Sequence, residues 1–206
     1  MKELGMIFNA EMVRAILDGR KTQTRRPIKW KQTRFTEIAE RDDGSLWPWA
    51  EDCERGGDIW FACPYGEIGD RIWVRETFRV HSRATDVATL VYRASVRNSW
   101  TEQTHRVPVA VCNKPTTPEK WTPSIHMPRW ASRITLEITD VRVERLNDIR
   151  ECDAKAEGGQ TECTLIGDKY YPGFRSLWKS IYGEESWAAN PWVWVIEFKR
   201  VEGGAA

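Results

Sequence analysis

A lysine and a threonine three residues apart, with a glutamate at a helix end far along the chain, are the residues best typed for chemistry in this 206-residue sequence. Lys21 and Thr24 fall in the run Gly19-Arg20-Lys21-Thr22-Gln23-Thr24-Arg25-Arg26-Pro27. A threonine hydroxyl is a weak nucleophile until a base takes its proton. A lysine becomes that base when its pKa is depressed, and Arg20, Arg25 and Arg26 would depress it by like-charge repulsion, with partial burial adding to the effect. The competing structural reading is an ordinary turn in which the hydroxyl bonds its own backbone. Glu157 stands where a short helical pattern ends. A helix C-terminus disfavours negative charge and pushes a carboxyl pKa upward, which suits a general acid or base. An exposed glutamate beside a cap is the plain alternative.

Around these residues the charge is one-sided. Arg20, Lys21, Arg25, Arg26, Lys29, Lys31 and Arg34 lie between Asp18 and Glu37 with no acid among them. Cations this dense repel, so they imply an anionic partner or a solvated loop. The neighbouring hydroxyls and the stiff Pro27 favour the partner. A second polar segment, Trp121 to Arg133, is flanked by prolines. There Ser124, His126, Arg129, Trp130 and Arg133 are candidate binding residues: His126 for a base or phosphate, or else as a turn cap, and the arginines as phosphate or carboxylate clamps. A basic cleft built from residues 20 to 26, 124 to 133 and 157 is the expected site.

The elements that must position it are legible in part. Met6 to Asn9 reads as a strand, Asn9 as the N-cap of a helix from Ala10 to Asp18, and Gly19 as its left-handed C-cap. Arg71 to Val80 reads as one strand. Ile134, Leu136 and Ile138 point one way and Val141 and Val143 the other, implying a bulge or bend near Thr139-Asp140. Asn147 or Asp148 is expected to cap the helix ending at Glu157-Gly158. Phe174, Leu177, Trp178, Ile181 and Tyr182 form a helical stripe closed by Gly183. Trp192 to Val201 reads as the last strand. Residues 35–62 and 81–120 read as insertions, and 203–206 as a disordered tail. The expected fold is α+β: one domain over residues 1–202, a mixed barrel with short helices at its ends.

Composition narrows the function classes. Net charge is +1, so any nucleic-acid affinity must come from local patches. No apolar run reaches the length of a membrane span and no secretory signal pattern opens the chain, which predicts a cytoplasmic protein without a membrane partner. Five scattered cysteines without a CxxC pair fit a reducing compartment, and a zinc set from Cys53, Cys63 and a histidine has little support in the spacing. No metal or cofactor is expected. Twelve tryptophans fill a core, yet tryptophan, tyrosine and arginine are also the side chains that stack on nucleobases.

The Gly19–Arg26 run, the Gly69-Asp70-Arg71-Ile72-Trp73-Val74-Arg75-Glu76 stretch, the Ala156-Glu157-Gly158 helix end and the Trp192–Phe198 strand together resemble the ASCH domain family. With the Pro123–Arg133 segment the chain is similar to the longer members found in phages and prophages. The resemblance implies a PUA-like barrel and a link to RNA. A small bacterial branch of the family removes the acetyl group of N4-acetylcytidine. Its lysine, threonine and glutamate match Lys21, Thr24 and Glu157 by motif. In that reading Lys21 activates Thr24, Thr24 attacks the acetyl carbonyl, and Glu157 handles the proton of the leaving amine. The alternatives are a non-catalytic single-stranded RNA or other nucleic-acid binder, and a ribonuclease.

Overall fold

The side chain of Asn9 accepts a hydrogen bond from the Met12 amide at 2.8 Å, and Gly19 closes the same helix at φ +73°. Both cap positions are therefore where the residue types place them. A computed structural model of the chain describes residues 1–30, 37–52, 54, 56–96, 98–117, 119–164 and 167–201. Lys31, Arg34, Cys53 and the tail at 203–206 lie outside the described residues.

In chain order the elements are β1 (Glu3–Ile7), α1 (Ala10–Leu17), β2 (Gln23–Pro27), β3 (Glu37–Glu40), β4 (Leu46–Glu51) and β5 (Asp58–Trp60). Then come β6 (Arg71–Arg75), β7 (Phe78–Arg83), β8 (Val87–Tyr92), α2 (Trp100–Gln103), β9 (Thr104–Pro108) and β10 (Thr135–Arg145). The chain ends with α3 (Glu151–Ala156), β11 (Glu162–Thr164), β12 (Gly167–Lys169), α4 (Tyr171–Tyr182), α5 (Glu184–Ala188) and β13 (Trp192–Val201). The fold is mixed α+β, mostly sheet with a few short helices. Among the described residues no sheet closes into a barrel; the strands form open sheets. No described helix is long and apolar enough to cross a membrane.

The chain groups into two compact units. One comprises residues 1–19, 70–137 and 199–206. Within it β1 runs parallel to β6, and the first residues of β10 pair antiparallel with β6, Leu136 opposite Ile72. A second sheet is the antiparallel meander β7–β8–β9. Phe78, Val80, Leu90, Tyr92, Val107 and Met127 make its buried core. The strand expected over Arg71–Val80 breaks at Glu76-Thr77. Glu76 turns inward there, 2% exposed, to meet Arg133 at 2.9 Å. The meander covers much of the expected insertion at 81–120.

The other unit comprises residues 20–69 and 138–198. Here β13 lies between β10 and β2 and pairs antiparallel with β2, from Val193 opposite Pro27 to Glu197 opposite Gln23. Residues 37–60 form the meander β3–β4–β5, and β11–β12 form a hairpin. Along β10 the buried side chains are Leu136 and Ile138 and then Val143, a phase change consistent with the expected slip. The helix before Glu157 starts later than expected, with Arg150 as its N-cap after a helical turn at Leu146–Asp148. Leu146, Ile149, Ala154, Phe174, Trp178 and Val195 pack as one core. Gly173 permits the close approach of α4 to the chain at Gln160. A Cβ there would stand 2.1 Å from the Gln160 carbonyl oxygen, well inside contact distance.

Candidate functional site

Strand β2 alternates, and its alternation sorts the candidate residues onto two faces. Gln23 donates to the Asp153 carbonyl at 3.0 Å and Arg25 reaches Asp153, Glu144 and Glu157, so both side chains point at the end of α3. Lys21, just before the strand, joins them. It forms a bridge with Glu157, the residue that caps α3.

The Lys21–Glu157 pair is the centre of this face. Lys21 Nζ donates to Glu157 Oε2 at 2.7 Å, to the Glu157 carbonyl at 2.9 Å and to the Gln23 carbonyl at 2.8 Å. An ammonium has three protons, so all are engaged. Both residues are 2% exposed. Burial pushes the Lys21 pKa below the usual lysine value; Glu157 opposes the shift, and Arg26 and Arg25 add to it. The sequence expected like-charge repulsion to dominate, and desolvation is the larger cause.

Arg25 is also fully buried at its side chain. Nη2 lies 2.8 Å from Glu144 and 3.6 Å from Asp153, and Nη1 lies 3.3 Å from Glu157. Arg142 then links Glu144 at 2.6 Å, Asp140 at 2.9 Å and Glu197 at 2.5 Å. The anionic partner that the basic run called for is, for Lys21 and Arg25, the protein's own set of carboxylates. Arg25 serves as an internal tie. Arg20 reaches the Gly158 carbonyl at 3.5 Å.

This network sets an acid limit on stability. Burial alone would raise the Glu144 pKa, but hydrogen bonding from Arg142 and the charge of Arg25 bring it below the usual carboxylate value. The unfolded state therefore binds the proton more readily than the folded state. The stabilisation is present above the ordinary value of 4.5 and is lost as pH falls through the depressed one. Arg142→Leu should move the acid-unfolding midpoint to higher pH, read by far-UV circular dichroism; an unchanged midpoint contradicts this role.

The opposite face of β2–β13 carries Thr24 and Arg26, with Ile196 and Trp194 as their cross-strand neighbours. Thr24 is 1% exposed. The structure thus brings Lys21 and Glu157 together, while alternation turns Thr24 away from them. Nζ remains one peptide from Thr24, through its bond to the Gln23 carbonyl.

An aromatic pocket of about 300 Å³ lies against Trp194, with Trp30, Phe61, Tyr65, Pro48 and Pro64 among its walls. Trp47 holds Trp194 edge-on, ring centres 5.1 Å apart, and Arg41 covers Trp47 at 4.0 Å. Lys29 stands exposed at the rim. Burial raises the Tyr65 pKa and Arg26 opposes it, which puts the Arg26 charge near this pocket. The residue types pointed here through Trp47-Pro48-Trp49 and the tryptophan count, yet the sequence reading placed no site on them.

The residues expected from the 124–133 segment belong to the other unit. Arg133 is bound to both Glu76 oxygens, at 2.9 and 3.1 Å, and to Ser95 at 2.8 Å, and it covers the Tyr92 ring at 4.0 Å. Arg129 pairs with Glu3 at 3.0 Å, and Trp130 packs edge-on to Phe78. These three side chains hold their own unit together. Ser124 and His126 begin and end a helical turn, with His126 exposed. Among the described residues no group of three metal-ligating side chains gathers.

Comparison with protein-family models, with curated proteins and with solved structures returns no match.

Proposed function

We propose that the protein recognises a nucleobase, in RNA or as a modified nucleoside, through the pocket at Trp194. The observation that carries this reading is a cavity walled by Trp30, Phe61, Tyr65 and Trp194, the flat apolar surfaces on which bases stack, with Lys29 at its rim and the Arg26 charge near Tyr65. In this reading the chain is an ASCH-type, PUA-like domain, supported by the motif set at Gly19–Arg26, Gly69–Glu76 and Ala156–Gly158. Lys21, Glu157 and Arg25 fix β2 and β13, and so fix the wall that Trp194 provides.

Equilibrium titration with cytidine, N4-acetylcytidine and a short single-stranded RNA tests it. Trp30 is 42% exposed, so Trp30→Ala should leave folding intact. Loss of one stacking surface is expected to weaken base binding by about 1–3 kcal/mol, roughly 5- to 150-fold. Equal affinity in wild type and Trp30→Ala removes the pocket from the account.

A second reading, amide hydrolysis of N4-acetylcytidine, is favoured by one observation. A lysine with a depressed pKa sits 2.7 Å from a carboxylate, an arrangement able to pass a proton. It ranks second because all three Lys21 protons are donated elsewhere and Thr24 takes none of them.

A further inference from the structure

The unit built on the β7–β8–β9 meander has a cavity of its own, about 280 Å³. Its walls include Val80, Lys114, Thr117, Lys120, Trp121 and His126. The segment carrying these side chains is anchored along β7. The Thr117 amide donates to the Val80 carbonyl at 2.9 Å, and Thr122 exchanges two backbone bonds with Phe78, at 2.7 and 3.2 Å. Arg83 donates to the Lys114 carbonyl at 3.2 Å, and Arg79 covers the Trp121 ring at 5.0 Å.

Among the described residues the lysines at this cavity lack counter-ions. Arg129 and Arg133 of the same unit are paired with Glu3 and Glu76. Lys114, Lys120, Arg79 and Arg83 have no carboxylate within ion-pair distance among the described residues. Glu119, exposed beside Lys120, is the acid nearest in sequence. Two unneutralised lysines in the wall of a concave surface with threonine hydroxyls, with Arg79 and Arg83 against wall residues, match a compact oxyanion, and the half-buried Trp121 indole offers a flat surface for an attached ring.

We infer that this cavity binds a phosphate group, held by Lys114 and Lys120, with Trp121 against the group that carries it. Free phosphate, a mononucleotide and an RNA strand all present that chemistry. Calorimetric titration of the full chain with orthophosphate, cytidine 5′-monophosphate and a short oligoribonucleotide separates them. The probe whose affinity the lysine variants lower most identifies the source, and affinity for the oligoribonucleotide should fall with salt as neutralised phosphates release counterions. Lys114→Ala/Lys120→Ala is expected to weaken binding at least about tenfold, since each lysine removed takes a charge-assisted hydrogen bond with it. Lys120→Glu, at an exposed position, gives a second variant with little consequence for folding and should act in the same direction. Orthophosphate carries no base to stack in the aromatic pocket, so the lysine variants' effect on orthophosphate is read independently of that pocket. Binding of none of the three probes overturns the inference, as does unchanged binding in the lysine variants.

Discussion

Glu157→Ala is expected to destabilise the fold by about 3–5 kcal/mol, the cost of leaving a buried charge without its partner. Lys21 would keep the two carbonyl oxygens but lose the carboxylate at 2.7 Å, and Arg25 would lose one of its three acids. No water replaces that carboxylate at low cost, because both side chains of the pair are almost completely covered. The urea midpoint should fall sharply with little change in slope. Lys21→Met/Glu157→Leu removes both charges and should recover much of the loss, since well-packed apolar groups commonly replace a buried pair without penalty. Arg25 retains Glu144 and Asp153 in that double variant. A Glu157→Ala protein as stable as wild type would mean that the pair contributes nothing to holding β2 against α3.

In the hydrolytic reading the second large effect is on turnover. Glu157→Gln keeps the shape and loses the titrating proton, so release of cytidine from N4-acetylcytidine should drop by roughly 10²- to 10⁴-fold, the usual contribution of general acid–base catalysis. Thr24→Ala removes the only hydroxyl in the trio and should abolish turnover while base binding persists. The pocket reading makes the opposite statement: no cytidine forms with wild type, and Thr24→Ala binds as wild type does. Full turnover in Thr24→Ala would retire Thr24 as nucleophile. Because Glu157→Gln is also expected to weaken the fold, its rate is read only where circular dichroism shows a native spectrum.

Local signals carried well from sequence to structure. The last strand occupies Trp192–Val201 as its apolar run indicates, α1 lies between Asn9 and Gly19, and α4 has Pro172 in its first turn and Gly183 at its end. Where the reading fell short, the deciding contact was distant in sequence. Arg25 looked like a ligand contact because its carboxylates at Glu144 and Glu157 lie 119 and 132 residues away. Arg133 likewise finds Glu76 across 57 residues, and that inward-turned glutamate breaks a strand that periodicity read as continuous. The two meanders are built from strands of only three to six residues, so residues 35–62 and 81–120 resembled insertions. The aromatic pocket gathers Trp30, Pro48, Tyr65 and Trp194 from four separate stretches. Their types were visible in the sequence; their proximity was not.

The claim that a base enters the pocket at Trp194 is tested most directly by following the twelve indole N–H resonances of the isotopically labelled protein during titration with N4-acetylcytidine and cytidine. The account predicts saturable shifts at Trp30 and Trp194, smaller ones at Trp47 behind them, and none at Trp178 or Trp187 in the helical core. An indole spectrum that stays still at Trp30 and Trp194 up to saturating nucleoside contradicts it.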